Sequence, residues 1–428
     1  MSQERIQAYA KPIGGGADCA PPQVERGPSL GSKVFTAEKL LLSRMMESLG
    51  NPPLALVLWD GQEIASPRKP PLARVLIRDR GALLKLIANP ELGFGEMYTA
   101  ERIEVQGNLV DSLEAIYRAL PRTDRGQVAQ KLLASFNGSL RNTPPRARRN
   151  IHHHYDIGND FYKLWLDRDM VYTCAYFPGP STGLEEAQAA KLDYVCHKLR
   201  LVPGEMVLET GCGWGALALH MAKHYGATVR AYNISEEQIA YARERARSEG
   251  LDGRVEFIED DYRNARGEFD AFVSVGMLEH VGTDQYQALG AVIDRCLKAS
   301  GRGLIHSIGR DRPSAMTPWI ERNIFPGACP PSLSQMTQIF EPFGFSVLDV
   351  ENLRLHYAKT LEHWLARYEA NSERVAQMFD PAFVRAWRLY LAGSLAAFRS
   401  GDMQLFQVSF NRSGQNDLPW TRQHLYAT

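Results

Sequence analysis

No CxxC pair and no metal-ligand spacing occurs among the six cysteines of this 428-residue chain, Cys19, Cys174, Cys196, Cys212, Cys296 and Cys329. A zinc ribbon and a disulfide framework are therefore not expected, and the pattern fits thiols kept reduced inside a cell. No run of ~18 apolar residues occurs, and the opening MSQERIQAYAKPIGGG lacks the apolar stretch of a secretory signal. The expected compartment is the cytoplasm, with any membrane contact peripheral. Nor does one charge dominate: 49 basic and 49 acidic side chains cancel, which leaves no electrostatic case for nucleic acid as a partner. No internal repeat or low-complexity block is visible.

What is present is a 44% hydrophobic chain, ample for a buried core and too long for one ordinary domain. Residues 1–33, rich in Gly, Pro and polar side chains, read as a flexible tail. Residues 34–122 hold an amphipathic helix (FTAEKLLLSRMMESLG), two short apolar strands (PLALVLWDG, ARVLIRD) and a further helix (SLEAIYRAL), a small α+β domain. Residues 123–150 contain one helix-like run, QVAQKLLASF, and then SLRNTPPRARRN, whose paired prolines cannot continue a helix. This linker is locally basic through Arg141, Arg146, Arg148 and Arg149, continuing into His152, His153 and His154. Two readings stand: a solvated linker, or contact with anionic lipid headgroups worth ~1 kcal/mol per basic residue. The adjacent histidines do not converge as zinc ligands do, so no metal is expected.

In residues 151–428 the pattern alternates. GATVRAYNIS, RVEFIEDDY, EFDAFVSVGML and GRGLIHSIG read as strands, EEQIAYARERARSEG and YQALGAVIDRCL as helices, and a helical tail precedes a last strand-like MQLFQVSF. Strands and helices of this length imply a doubly wound, Rossmann-like α/β sheet. At its head, VLETGCGWG (207–215) runs an apolar strand into a glycine turn and a helix, where bare backbone and a helix N-terminus can receive a cofactor. The spacing is GxGxG, not the dinucleotide GxGxxG with an acid about 20 residues on. It matches the loop of S-adenosylmethionine (SAM) methyltransferases; an unliganded structural turn is the alternative. Ser235, Glu236, Glu237 and Gln238 follow the second strand and offer ribose contacts. Glu259, Asp260, Asp261, Tyr262 and Arg263 end the third, offering adenine an acid and a ring, or forming an ordinary strand-end turn.

Taken together, HHYDIGNDFYKLWLDRDMVYTCAYF (153–177), VLETGCGWG, DDYRNARGEFDAFVSVGMLEHVG (260–282), LIHSIG and RNIFPGACPPS closely resemble the cyclopropane fatty acid synthase family, which includes the mycolic acid cyclopropane synthases and methyltransferases. The motifs stand in family order over roughly residues 150–410, and LGFGEMYTAERIEV with its surroundings is similar to the amino-terminal domain of longer bacterial members. The resemblance implies that a cis-unsaturated acyl chain of a membrane phospholipid attacks the sulfonium methyl of SAM. A carbocation results, a proton of the new methyl passes to bound bicarbonate, and the ring closes. Loss of a different proton would give methyl or methylene branching instead. Such chemistry needs a dry pocket and a base that is a poor nucleophile.

Carried across motif by motif, the resemblance implies bicarbonate ligands Cys174 in YTCAYF, Glu279 in GMLEHVG, His306 and the Ile308 backbone in LIHSIG, and Tyr357 in LRLHYAKT. A carboxylate beside an anion needs compensation, for which His306 and backbone donors are the expected source. The implied SAM contacts are Tyr172, Thr173, Gly211, Gly213, Trp214, Gln238, Tyr262 and Arg263. Glu209 and Thr210 stand where the family usually has Asp-Ile. Phe161, Tyr162, Trp165, Tyr172, Tyr176 and Phe177 either line an acyl tunnel with π faces toward a cation or simply pack a helix and loop onto the sheet. Longer family members are often dimers, so the amino-terminal domain is expected to serve either homodimer pairing or lipid docking.

Overall fold

The computed structural model describes residues 34–66, 70–120 and 157–426. The tail, the linker with its helix-like run, and the basic segment ending at His154 lie outside the described residues.

The chain divides into two compact units, which are not contiguous in sequence. The first takes in the described residues up to 120 together with 317–319 and 372–396. Helix α1 (Val34–Ser48) leads into strands β1 (Leu54–Val57), β2 (Glu63–Ala65) and β3 (Ala73–Ile77). Helices α2 (Arg80–Ala88) and α3 (Pro90–Thr99), strand β4 (Ile103–Gln106) and helix α4 (Leu109–Ala119) follow. The sheet runs β2-β1-β3-β4, with β1 and β3 parallel and the outer pairs antiparallel. Asp79, Asn89 and Asn108 each accept a backbone N–H of the helix they precede, fixing where α2, α3 and α4 begin. Leu42, Leu56, Val75, Leu83 and Ile103 form its core.

The second unit carries the larger sheet. Its elements include α5 (Leu184–Leu199), β5 (Met206–Thr210), α6 (Ala216–Tyr225), β6 (Thr228–Asn233), α7 (Glu236–Ser248), β7 (Val255–Glu259), β8 (Phe269–Val275), α8 (Tyr286–Cys296), β9 (Leu297–Gly309), β10 (Phe345–Asn352), α9 (Arg354–Ala370) and β11 (Gln404–Arg412), with further helices and turns between. Strand order is β10-β11-β9-β8-β5-β6-β7. From β7 to β9 all neighbours are parallel; β11 inserts antiparallel between β9 and β10. This is the expected doubly wound sheet.

Side-chain alternation explains its two layers. Val207, Val229, Val273 and Leu304 point into one core, Leu208, Tyr232, Phe272 and Ile305 into the other. Each central strand is apolar on both faces because both are covered. Strand order reverses between β5 and β8, which opens a crevice at their carboxyl ends.

Candidate active site

The glycine loop fills that crevice edge. Gly211, Gly213 and Gly215 hold φ of +80°, +55° and +85°, a region that L side chains enter only at a cost. A Cβ on Gly211 would stand 2.8 Å from Met277 Cβ, and one on Gly215 2.5 Å from Phe257. The loop is therefore drawn tight over the sheet, and α6 starts immediately behind it with its N-terminus toward the crevice.

A cleft of about 760 Å³, its open mouth included, lies against the loop. Tyr172, Thr173, Gly211, Gly213, Trp214 and Gln238 all line it, so six of the eight expected SAM contacts converge. Tyr262 and Arg263 are not among its walls; they form a single turn after β7, where the Arg263 guanidinium sits over the Tyr262 ring at 5.0 Å and pairs with Asp261 at 2.9 Å. Tyr262 keeps a buried hydroxyl with no hydrogen-bond partner among the described residues, and burial pushes its pKa up to about 12.

Several further side chains line or brace the cleft. Asn233 donates to Gln238 Oε1 at 2.7 Å and to the Gly213 carbonyl at 3.3 Å, bracing the loop from the end of β6. Asn159 accepts the Trp214 indole N–H at 2.7 Å. Lys191 is 2% exposed, lines the cleft and donates to Thr173 Oγ1 at 3.0 Å. Burial pulls its pKa down to about 8, against the attraction of Asp167, Cys174 and Glu209. The available signal was helical spacing: Leu184, Ala187, Gln188, Lys191 and Val195 share the buried stripe of α5. Glu209, at the end of β5, lines the same cleft with one carboxyl oxygen unpartnered among the described residues, and burial pushes it up to about 8.

Of the expected anion ligands, Glu279 and the Ile308 backbone meet at the end of β9, the strand that also carries His306. After β8 the turn Leu278–His280 carries Glu279, 5% exposed, whose Oε1 accepts the Ile308 backbone N–H at 2.5 Å. Its Oε2 is buried and has no hydrogen-bond partner among the described residues. Burial pushes the carboxyl up to about 7, partly offset by backbone donors and the nearby Ser307, whose own hydroxyl donates to the Ile308 carbonyl. His306, 1% exposed on β9, receives the Gln407 amide at Nδ1 (2.9 Å), while its Nε2 is buried without a partner among the described residues. The Gly276 N–H donates to the His306 carbonyl, tying the end of β8 to β9.

Burial drives His306 well below the usual imidazole range, with Lys191 and Lys198 adding to the effect. His306 is accordingly neutral, so any compensation it offers a neighbouring anion is a hydrogen bond and not a positive charge. Cys174 is fully buried; its thiol donates to the Ala175 carbonyl at 3.1 Å, and burial pushes its pKa up. Ala175 N–H in turn donates to Thr360 Oγ1 at 3.0 Å, which joins this segment to α9 and to Tyr357 one turn earlier. The Tyr357 ring packs against Trp364 at 5.8 Å and Phe398 at 4.6 Å.

The aromatic residues form a connected wall. Phe161, Tyr162 and Trp165 are fully buried, and Tyr172 touches Tyr162, Trp165 and Trp364 with centroids 5.2–5.4 Å apart. Tyr162 reaches the glycine-loop Trp214 at 5.0 Å. Tyr176 and Phe177 stand apart from this group, stacked on His356 and His363.

Residues 142–408 match the mycolic acid cyclopropane synthetase family, and residues 41–122 match a domain family of unknown function. The cyclopropane-fatty-acyl-phospholipid synthase of Escherichia coli K12 is 44% identical over 266 residues, covering 62% of this chain and 68% of the relative. A "Probable fatty acid methyltransferase" of Pseudomonas putida is 34% identical over 394 residues, 87% of this chain and 96% of the relative. Among solved structures, mycolic acid cyclopropane synthase CmaA1 complexed with SAH and CTAB superimposes with a TM-score of 0.59 at 30% identity, covering 62% of this chain and 98% of that one. With the glycine-loop cleft and the family match in agreement, the chain belongs to the mycolic acid cyclopropane synthetase family and is a SAM methyltransferase of the cyclopropane fatty acid synthase type.

Proposed function

We propose that the protein cyclopropanates cis double bonds in the acyl chains of membrane phospholipids, with SAM as methyl donor and bicarbonate as resident base. The observation that carries the reading is the pair of unpartnered atoms Glu279 Oε2 and His306 Nε2, both buried at the carboxyl ends of neighbouring strands beside the cofactor cleft. Buried polar atoms are normally satisfied. A small anion with a hydroxyl and acceptor oxygens fits a carboxylate that wants a donor and an imidazole that presents one.

Each residue then has a task. Glu279 is clamped by Ile308 and kept near neutrality by burial, so its free oxygen receives a hydroxyl without placing a full second negative charge against the anion. His306 stays neutral and Cys174 stays a thiol, with Tyr357 on α9 assigned to the same anion. Tyr172, Thr173, Gly211, Gly213, Trp214 and Gln238 hold the cofactor in the cleft, with Tyr262 and Arg263 assigned to its adenine end. Bound there, SAM supplies an electrophilic methyl, and bicarbonate supplies a proton acceptor of low nucleophilicity. Phe161, Tyr162 and Trp165 exclude water and offer π faces to positive charge.

No helix among the described residues is long and apolar enough to cross a membrane. The reading has a cytoplasmic, peripheral enzyme reaching acyl chains from the bilayer surface. The Pseudomonas relative's name favours a second outcome, methyl or methylene branching, in which the same carbocation loses a different proton. NMR of the lipid product separates the two. The site itself is tested by crystals grown with SAH and bicarbonate: density bridging residues 174, 279, 306 and 357 supports the assignment, and its absence at saturating bicarbonate removes it.

A further inference from the structure

Gln407 belongs to none of the recognised motifs, yet it is fully buried on β11 directly opposite His306 on β9. The two are register partners on adjacent antiparallel strands, so their side chains emerge on the same face of the sheet. The Gln407 side-chain amide meets His306 Nδ1 at 2.9 Å, and among the described residues nothing else engages either imidazole nitrogen. The Gln407 Oε1 is itself buried and unpartnered among the described residues. A glutamine placed within the sheet with half its hydrogen-bonding capacity unmet is costly. The cost is understandable if the other half does a specific job.

A neutral imidazole has one ring proton and two places to put it. If Gln407 Nε2–H donates to Nδ1, that nitrogen must be the bare acceptor, and the proton resides on Nε2. The other nitrogen, buried and without a partner among the described residues, is then an N–H donor, which suits an anion. With the opposite tautomer Nε2 would present a lone pair and repel the same ligand. We propose that Gln407 is a positioning residue which fixes His306 as the Nε2–H tautomer and so presents a donor to the bound anion. The proposal rests on the bicarbonate reading for its ligand, while the tautomer itself is a property of the protein alone.

Replacement by glutamate is the informative change. A carboxylate at this position only accepts, so Gln407→Glu would draw the ring proton to Nδ1, whereas Gln407→Leu releases the constraint altogether. Selective ¹⁵N-histidine labelling of the full-length protein, with the His306 signal assigned by its loss in His306→Gln, reports the tautomer without any ligand. The wild type is expected to show protonated Nε2 and bare Nδ1, and Gln407→Glu to show a protonated Nδ1. Both Gln407 variants are expected to raise the bicarbonate concentration needed for half-maximal turnover about tenfold, the scale of one charge-assisted hydrogen bond, with SAM affinity held within about twofold of wild type. In the His306→Gln background, Gln407→Leu should add nothing further, because the residue acts through His306.

A wild-type His306 protonated on Nδ1, or a tautomer indifferent to Gln407→Glu in a variant that melts cooperatively, overturns the proposal. Failure of the bicarbonate reading looks different: His306→Gln would leave bicarbonate dependence as in the wild type while the tautomer still followed residue 407.

Discussion

Glu279 accepts the backbone N–H of Ile308 at 2.5 Å, a bond that joins the turn after β8 to the end of β9 and leaves the second carboxyl oxygen buried and unpartnered among the described residues, as His306 Nε2 is. Glu279→Gln keeps an acceptor for Ile308 but puts an amide donor where the free oxygen stood. Turnover should fall about a hundredfold or more, the scale of a misplaced proton acceptor, while SAM affinity by calorimetry stays within about twofold. Equal losses in both would show that Glu279 serves the cofactor and not the base.

The same substitution has a stability signature. The folded-state pKa of Glu279 is raised from 4.5 to about 7 by burial. The folded protein therefore holds a proton that the unfolded chain releases, and this contribution is complete below pH ~4.5 and lost as pH rises through about 7. Glutamine does not titrate. Relative to wild type, Glu279→Gln should gain stability between about pH 5 and 8, by a few kcal/mol at most, readable as a melting-temperature difference that widens with pH. A constant difference would mean the carboxyl is not desolvated.

Cys174 offers a chemical check on the dryness of the pocket. It is fully buried, with its thiol pKa pushed up by burial, and thiolate is the reactive form. Iodoacetamide at about pH 8 should leave Cys174 unmodified in the native protein and alkylate it after denaturation, as read by peptide mass spectrometry. Rapid native labelling would show that water reaches the site.

The glycine loop allows a graded test. Gly213 has open space where a Cβ would go, whereas Gly215 would drive it to 2.5 Å from Phe257 and 2.9 Å from Ala242. Both have positive φ. Gly213→Ala should cost about 1–2 kcal/mol of stability from the backbone alone, and Gly215→Ala several kcal/mol more through overpacking. Thermal or urea denaturation of the pair would give the order, and a reversed order would contradict the loop geometry.

The alternation of strands and helices made the doubly wound sheet legible, since βαβ units of this length close only one way, and VLETGCGWG marked its crevice. Long-range pairing was not legible. Gln407 in MQLFQVSF looks like an ordinary polar strand residue until β11 inserts antiparallel beside β9 and its register brings it to His306, 101 positions away. Lys191 looks like a solvated helix residue until α5 turns its stripe onto the sheet. The grouping of residues 372–396 with the first unit likewise depends on contacts between segments far apart in the chain. Tyr262 was recognisable as a strand-end aromatic, but strand position alone did not reveal that its turn stands outside the cleft wall.

The most direct test of the central claim is a single incubation: purified protein, methyl-labelled SAM and vesicles of cis-unsaturated phospholipid, with bicarbonate present or stripped out, followed by NMR of the extracted lipid. The account predicts label in a cyclopropane methylene on the acyl chain, formed at a rate that collapses without bicarbonate and returns when it is restored. Lipid recovered without label while SAM binds normally, or product formed equally well in the absence of bicarbonate, would contradict it.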